Sequence, residues 1–580
     1  MKRIHQTPRR QQFAPGWIES PPNQASYRAI FKWGAPDRFK HPNARLCQLL
    51  KECLGLDNES FQQPQKTGNQ PVGRQRPISL SSDQVQQVVN LVGERNVAAD
   101  DFNRLRYGTG KTAEEAWQLR EGRPTPIPDL VVHPRNRDDI QALVAWCHAQ
   151  RVPLYPYGGG SSVTFGVRPD LGGLSLVLAT HMNRVRDFNE INQTITVEAG
   201  IMGPVYEDLL NRAPSTLGAT RPFTGGHFPQ SFEFSTVGGW IAALGSGQLS
   251  SYYGDMGDLV LAQEMVTPAG VFRTVPYPAS ATGPKVNDML KGSEGAFGVL
   301  VSATLKIFRY APQSRRRFAF MLPDWERAVA AAREVFQGEF GRPSLFRISD
   351  AEETEVALRL YGIEGGLADR LLQVRGLKSG RRCLLLGQAD GATPLARVVQ
   401  RQIGRICRRM GGMGLTGAPV KRWETGRFRD PYMREDLNDF GIVIDTLETS
   451  VGWDQLPGVY SAVRRHIKER PRTICMTHAS HFYPQGTNLY FIFITPMGEL
   501  ADFQSFQRSI IERIQACGGS LSHHHGVGKL MGPWMERHLG RNQMDLLRTL
   551  KAFFDPCGIM NPGGTLGLDE RGETNPDQRP

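Results

Sequence analysis

The sequence predicts an α+β protein of two mixed helix–strand regions, preceded by a less regular N-terminal stretch. Three observations carry that expectation. From Ile127 onward, short apolar strands alternate with amphipathic helices. Three glycine- and serine-rich segments fall inside the first region. Beyond residue 313, helices such as the one opening at Asp324 alternate with strands such as 489–494.

The elements follow in order. Residues 1–123 read as helical or irregular, with a Gln-, Asn-, Pro- and Gly-rich linker or exposed loop at 58–77. Residues 129–132 form a short strand. The helix expected over 137–150 places Ile140, Leu143, Val144 and Cys147 on one face. A second strand, 152–156, enters a glycine loop, and 175–178 and 194–197 are further strands. This first region spans 124–312. In the second, 313–535, the helix after Asp324 aligns Trp325, Val329, Ala332 and Phe336. A final helix over 542–554 stops at Asp555-Pro556, and 536–580 closes the chain with a polar tail from 569.

Composition bounds the function. The 580 residues suffice for two or three domains, and 40% hydrophobic with 22% charged residues fits a folded soluble protein. No apolar run approaches the roughly 18 residues of a membrane span. Neither an apolar signal core follows Met1 nor a peroxisomal address ends the chain, so a cytoplasmic protein is expected. The eight cysteines form no C-x-x-C pair, which argues against a zinc ribbon or a disulfide scaffold. Net charge is +12, and between Met1 and Arg45 nine Lys/Arg face two acids. That segment reads as a solvated basic face; no nucleic-acid module accompanies it, so no nucleic-acid partner is expected.

The tripeptide His523-His524-His525 is the strongest chemical signal. Each imidazole can carry a proton near neutrality or ligate a metal. Gly526-Val527-Gly528 follows and suggests a tight backbone beside the rings. The pattern points to a reaction centre. No acid or cysteine stands at suitable local spacing for a metal, although His478 and His481 are remote candidates, and no metal is expected.

The glycine segments suggest a ligand. Pro156, Tyr157, Gly158, Gly159, Gly160, Ser161 and Ser162 follow a strand. Without Cβ atoms, successive N–H groups there can converge on a phosphate. Taken alone, this is as well read as a glycine-rich hairpin, and it is not the G-x-G-x-x-G fingerprint. A second segment holds Ser231, Phe234, Ser235, Thr236, Gly238, Gly239, Ala243, Gly245 and Ser246. A third holds Glu294, Gly295, Gly298 and Val299. Three such segments suit an extended ligand carrying a diphosphate. Their order and spacing over 124–312 resemble the vanillyl-alcohol oxidase and p-cresol methylhydroxylase flavoproteins. The resemblance implies FAD held by these residues, with the diphosphate at 156–162, in a two-part FAD-binding domain beneath an α+β cap that takes the substrate.

Within those flavoproteins, residues 29–567 resemble the alkyldihydroxyacetonephosphate synthase (alkylglycerone-phosphate synthase) family. The triple histidine, Phe234-Ser235-Thr236-Val237-Gly238-Gly239-Trp240, Leu119-Arg120-Glu121-Gly122 and the Tyr490-Phe491-Ile492-Phe493 strand carry it. The family replaces the acyl chain of acyl-dihydroxyacetone phosphate with a fatty alcohol, net redox-neutral through a flavin adduct. The resemblance implies that Tyr490 moves protons, that His524 is the base with His523 and His525 beside it, and that Arg347 lies near the flavin. It places the substrate-phosphate arginine fourteen residues before Glu448-Thr449-Ser450, at Arg434. By residue type alone, Tyr490 is a core aromatic and Arg434 a surface arginine. Lipid-like substrates go with peripheral membrane contact, and a homodimer is the assembly considered. Leu244 stands where known members carry Arg, and Gly558-Ile559-Met560-Asn561-Pro562-Gly563 resembles the hydroxyacid dehydrogenase branch. These departures point to a bacterial relative. The alternative is an FAD-linked oxidase or dehydrogenase of a 2-hydroxy acid or other alcohol.

Overall fold

The helix expected over 137–150 forms as Arg137–Gln150 in a computed structural model that describes residues 15–569. Asn136 caps it by accepting the Asp139 N–H, and Ile140, Leu143, Val144 and Cys147 are buried as the spacing requires. The helix packs on Val260–Thr267, a strand of the second of the two main sheets of this region. The first sheet is mixed, with four strands in the order Val97–Ala98, Leu130–Val132, Leu174–Val177, Leu154–Tyr157, and its last three are parallel. The second sheet is antiparallel, in the order Val185–Asn189, Thr194–Glu198, Val299–Lys306, Val260–Thr267, Gly270–Arg273. The glycine loop leaves the end of Leu154–Tyr157, and the third glycine segment leads into Val299–Lys306.

The cap is one seven-stranded antiparallel sheet. Its order is Met413–Leu415, Arg316–Leu322, Cys383–Ala389, Leu345–Ser349, Ile474–Phe482, Gly486–Pro496, Ile442–Gly452. Helix Trp325–Gln337 covers it with Trp325, Ala332 and Phe336 buried, while Val329 is only partly so. The last two strands pair over eleven residues, from Ile442 opposite Pro496 to Gly452 opposite Gly486. That register sets Glu448 directly beside Tyr490.

Both ends of the described chain cross to regions distant in sequence. Helix Arg541–Phe554 returns to the first region, where Phe554 stacks on Phe297 at 5.1 Å and Lys551 Nζ donates to the Ala296 carbonyl at 2.8 Å. The 58–77 stretch is mostly exposed, as its composition predicts, yet it is strapped down. Gln65 N–H donates to the Asp439 carbonyl at 2.7 Å, Arg28 N–H donates to the Gly68 carbonyl at 2.7 Å, and Phe61 is buried.

The basic N-terminal segment corrects an expectation. Lys2, Arg3, Arg9 and Arg10 lie outside the described residues, as does the tail beyond 569. Of the others, Arg28 and Lys32 are buried rather than solvated. Their partners sit on helix Asp430–Asn438 and just beyond it, some four hundred residues away in sequence. Arg28 makes a bidentate pair with Asp439 at 2.8 and 2.9 Å, joined by Arg120, and Lys32 Nζ reaches Glu435 at 3.4 Å. Burial pushes the Asp439 carboxyl up, but Arg120 and Arg28 outweigh it and hold it below the ordinary carboxylate range. This network clamps the N-terminal region onto the helix that carries Arg434.

D439N should therefore destabilise the fold by about 3 kcal/mol, because it leaves buried guanidinium groups uncompensated. A depressed carboxylate stabilises above its unfolded pKa and loses that contribution as pH falls through the folded value. Denaturant or thermal unfolding should show the variant well below the parent at neutral pH, with the gap narrowing in acid.

Candidate active site

A cavity of about 590 Å³ runs between the two small sheets and the cap. Its floor is the glycine loop: Pro156 through Ser162 all line it. The loop backbone is wedged tightly. A Cβ on Gly158 would strike Thr236 Oγ1, one on Gly159 the Phe234 carbonyl, and one on Gly160, at φ +68, the Tyr157 hydroxyl. Ser231, Ser235, Thr236, Gly238, Gly239, Ala243, Gly245, Ser246, Glu294, Gly295 and Gly298 also face the cavity. Phe234 and Val299 do not line it: Phe234 gives its carbonyl to the close passage of Gly159, and Val299 is in the core. An elongated cavity floored by side-chain-free backbone fits a diphosphate-bearing cofactor.

The histidine loop is built on a buried anion. Glu448 Oε1 accepts the N–H groups of His523, His524 and His525 at 3.0, 3.1 and 3.1 Å, and the Ser522 hydroxyl at 2.7 Å. Its Oε2 accepts His523 N–H at 2.8 Å and Asn488 Nδ2 at 3.0 Å. Burial pushes this carboxyl up, but the His525 and His523 rings, the Ser522 hydroxyl and the His524 N–H outweigh it and lower it. At the loop's far end, Glu294 accepts the Val527 and Gly528 N–H groups, both at 2.7 Å. Burial pushes Glu294 up to about 7 against those two donors. Gly526, at φ +83, approaches Glu294 so closely that a Cβ would lie 2.8 Å from Oε1. Glu448, His523 and His524 bring three metal-type ligand atoms within 4.8 Å, so an acid does stand near the cluster after all. Its oxygens are already taken by five donors, which makes it the loop's acceptor.

The rings point outward from this anchor. His524 and His525 line the cavity, whereas His523 lies behind them. His524 stacks over Tyr490 with centroids 6.0 Å apart, and His525 meets it edge-on at 5.4 Å. His478 stacks on the Tyr490 ring at 4.8 Å. Tyr490 donates to Thr446 Oγ1 at 3.1 Å, and burial pushes its phenol up to about 12. Burial lowers His523, His524 and His525, with neighbouring imidazoles adding to it at His524, whose pKa falls well below its ordinary value. Those rings are therefore neutral at pH 7 and keep a lone pair.

His481 joins the cluster through a strained backbone. The register slips between Ser480 and Phe482, and His481 takes φ +52 in this bulge. Its ring then lies 5.1 and 4.9 Å from His523 and His524. Arg347 lines the cavity, but its guanidinium also pairs with Glu353 at 2.6 Å and contacts His478 Nδ1 at 3.1 Å.

Arg434 faces the same cavity from helix Asp430–Asn438, and its Nη2 donates to the Lys111 carbonyl at 3.0 Å. Burial brings Lys111 down to about 8, and its ammonium donates to the Ile30 carbonyl at 2.6 Å. Beyond Arg434 the cavity turns apolar, lined by Leu46, Leu50, Val356, Leu360, Met433, Met476 and Ile494. The structure thus gathers Tyr490, Arg434, His524, His525 and the glycine loops around one space. Sequence reasoning used Glu448 only as a register mark and passed over Tyr483, Thr446 and Lys111. Glu448 carried a signal, an acid in a β-strand opposite Tyr490; the others needed the fold.

Residues 128–275 match the family described as FAD binding domain, and 311–565 the FAD linked oxidases, C-terminal domain. The chain is 30% identical over 482 residues to the alkyldihydroxyacetonephosphate synthase of Dictyostelium discoideum, covering 80% of this chain and 77% of that protein. A solved alkyldihydroxyacetonephosphate synthase structure aligns with a TM-score of 0.71 at 26% identity, over 84% of this chain and 86% of that one. Substrate-bound p-cresol methylhydroxylase, 14% identical, shares the fold with a TM-score of 0.61 over 85% and 98%. The first region is an FAD-binding domain of that type, and FAD is the cofactor.

E448Q sets an amide NH₂ against the inward-facing N–H donors, so it should cost about 3 kcal/mol of unfolding free energy. FAD should still bind, since the glycine loops are untouched. Retained flavin absorbance with a lowered melting temperature is the expected pair of readings.

Proposed function

The chain belongs to the alkyldihydroxyacetonephosphate synthase family, and from that premise we propose that it exchanges the acyl chain of acyl-dihydroxyacetone phosphate for a fatty alcohol, a step of ether-lipid synthesis. The observation that carries the reading is the cavity's two unlike arms. A cationic arm at Arg434 and an apolar arm from Leu46 to Ile494 belong to the one cavity that Tyr490 and His524 also line. A substrate with a phosphate head and a hydrocarbon chain matches that division of charge.

Bound FAD supplies the covalent chemistry at the substrate carbon, and the glycine loops would hold it. The chain's own groups bind the substrate and move protons. The Arg434 guanidinium receives the phosphate with the N–H groups not given to the Lys111 carbonyl. His524, neutral in this setting, takes the proton from the substrate carbon. Tyr490 gives its proton to the departing carboxylate, then recovers one from the entering alcohol. Thr446 and the stacked His478 fix the phenol in place.

A lipid surface is the membrane contact this reading implies. Helix Leu367–Val374 turns Leu367, Leu371 and Val374 to solvent at 85, 52 and 84% exposure, one stripe at i, i+4, i+7 spacing. Arg370 within the helix and Arg375 and Lys378 just after it are exposed, a pattern suited to anionic headgroups. Leu360 and Tyr361, which line the cavity's apolar end, lie just upstream. No helix among the described residues is long and apolar enough to cross a membrane.

Purified protein given acyl-dihydroxyacetone phosphate and a labelled fatty alcohol should form labelled alkyl product. Y490F should keep FAD yet lose turnover by about 100-fold or more. R434K should chiefly raise KM, because an ammonium cannot reproduce the bidentate fork. Flavin bleaching by 2-hydroxy acids, with no alkyl product, would make the chain a dehydrogenase instead.

Replacing Leu367, Leu371 and Val374 together with Ser should weaken sedimentation with anionic phospholipid vesicles while leaving turnover on detergent-dispersed substrate intact. Equal sedimentation would remove this helix as the contact.

A further inference from the structure

The proton taken up by His524 can also leave through the groups packed behind the ring, away from the substrate. Glu448 cannot carry it onward, because five donors already occupy the carboxylate. His525 faces Tyr490 inside the same cavity, and His481 Nδ1 is buried without a hydrogen-bond partner. His523 differs from both, because each of its ring nitrogens is engaged. Nδ1 lies 3.1 Å from His524 Nδ1, and Nε2 lies 2.8 Å from the Tyr483 hydroxyl. Two imidazole nitrogens at that separation need one N–H and one lone pair. A proton lies between the two rings, and moving it changes the tautomer of both.

Tyr483 leads out of the protein core. It lines a second cavity, of about 580 Å³, that shares no lining residue with the first. Gln485, Gly518, Arg537 and His538 form its exposed rim, so it lies at the surface. Tyr483 therefore stands between the outer cavity, which it lines, and the histidine cluster, with its hydroxyl on His523.

We propose that His524, His523 and Tyr483 form a proton relay that connects the reaction cavity to the surface cavity beside Gln485 and Arg537. In one passage, His524 gains a proton at Nε2 and gives its Nδ1 proton to His523 Nδ1. His523 gives its Nε2 proton to the Tyr483 oxygen, and the phenol releases its own to water in the outer cavity. One proton enters and one leaves, no electrons move, and the reverse passage resets the tautomers. Tyr483 touches neither substrate nor FAD in this scheme; it is a positioning residue acting through His523. The proposal rests on the reading of His524 as the base.

The test follows the carbon-bound hydrogen. The FAD-loaded enzyme is incubated in D₂O with acyl-dihydroxyacetone phosphate, and mass spectrometry measures deuterium entering recovered substrate. Y483F keeps the ring's packing and removes the relay hydroxyl. It should retain flavin absorbance and substrate affinity while deuterium entry slows by about tenfold or more. Y483A removes the ring, and added imidazole should restore the rate in that variant but not in the parent. If the parent makes alkyl product and Y483F incorporates deuterium at the parental rate, the relay is wrong and the function stands. If the imidazole effect is equal in parent and Y483A, the relay is likewise wrong. If the parent neither makes product nor exchanges hydrogen, the relay and the function fall together.

Discussion

The Glu448 carboxylate is the interaction on which the site depends. Three consecutive histidines have no intrinsic reason to turn their backbone inward and their rings outward. A buried anion supplies that reason: the N–H groups of 523, 524 and 525 converge on it, and the rings must diverge. A hydrogen bond to a charged group contributes about 1.5–3 kcal/mol. Five donors thus exceed the several kcal/mol that desolvating one carboxylate costs. Divergence then assigns each ring its place: His523 toward Tyr483, His524 into the cavity, His525 against Tyr490.

The same loop is held at its other end by a carboxylate from the other domain. Glu448 belongs to the cap sheet, and Glu294 to the third glycine segment of the FAD-binding domain. The reactive loop is therefore tied to both domains at once. Gly526 and Gly528 are needed at positive φ because the backbone must turn from one acid to the other within a few residues.

Local features were legible in the sequence and distant pairings were not. Helix Arg137–Gln150, the strand before the glycine loop and the Tyr490 strand depend on periodicity and nearby turn residues, and they form where expected. Within the basic N-terminal segment Arg38 and Arg45 are exposed as expected, but Arg28 and Lys32 are not, because the acids that bury them are far downstream. Glu448 stood in plain view as a register mark, yet its role depends on a loop more than seventy residues away. The place of His481 could not be read at all. It rests on a one-residue slip in strand pairing, and composition carries no trace of such a bulge.

Charge and apolar surface are segregated along the cavity, and this decides which way a substrate lies. Arg434 holds positive charge at one arm, in a setting where burial keeps solvent from screening it. Leu50, Met433 and Ile494 line the other, where an anionic headgroup would be unpaired. Reversing an amphiphile would bury its phosphate among apolar side chains and leave Arg434 without an anion. Both penalties act in the same direction, so an amphiphile enters in one orientation. Tyr490 and His524 line the same cavity. Neutral histidines are essential to that arrangement. A cluster of charged imidazoles would compete with Arg434 for the phosphate, and their mutual burial prevents it.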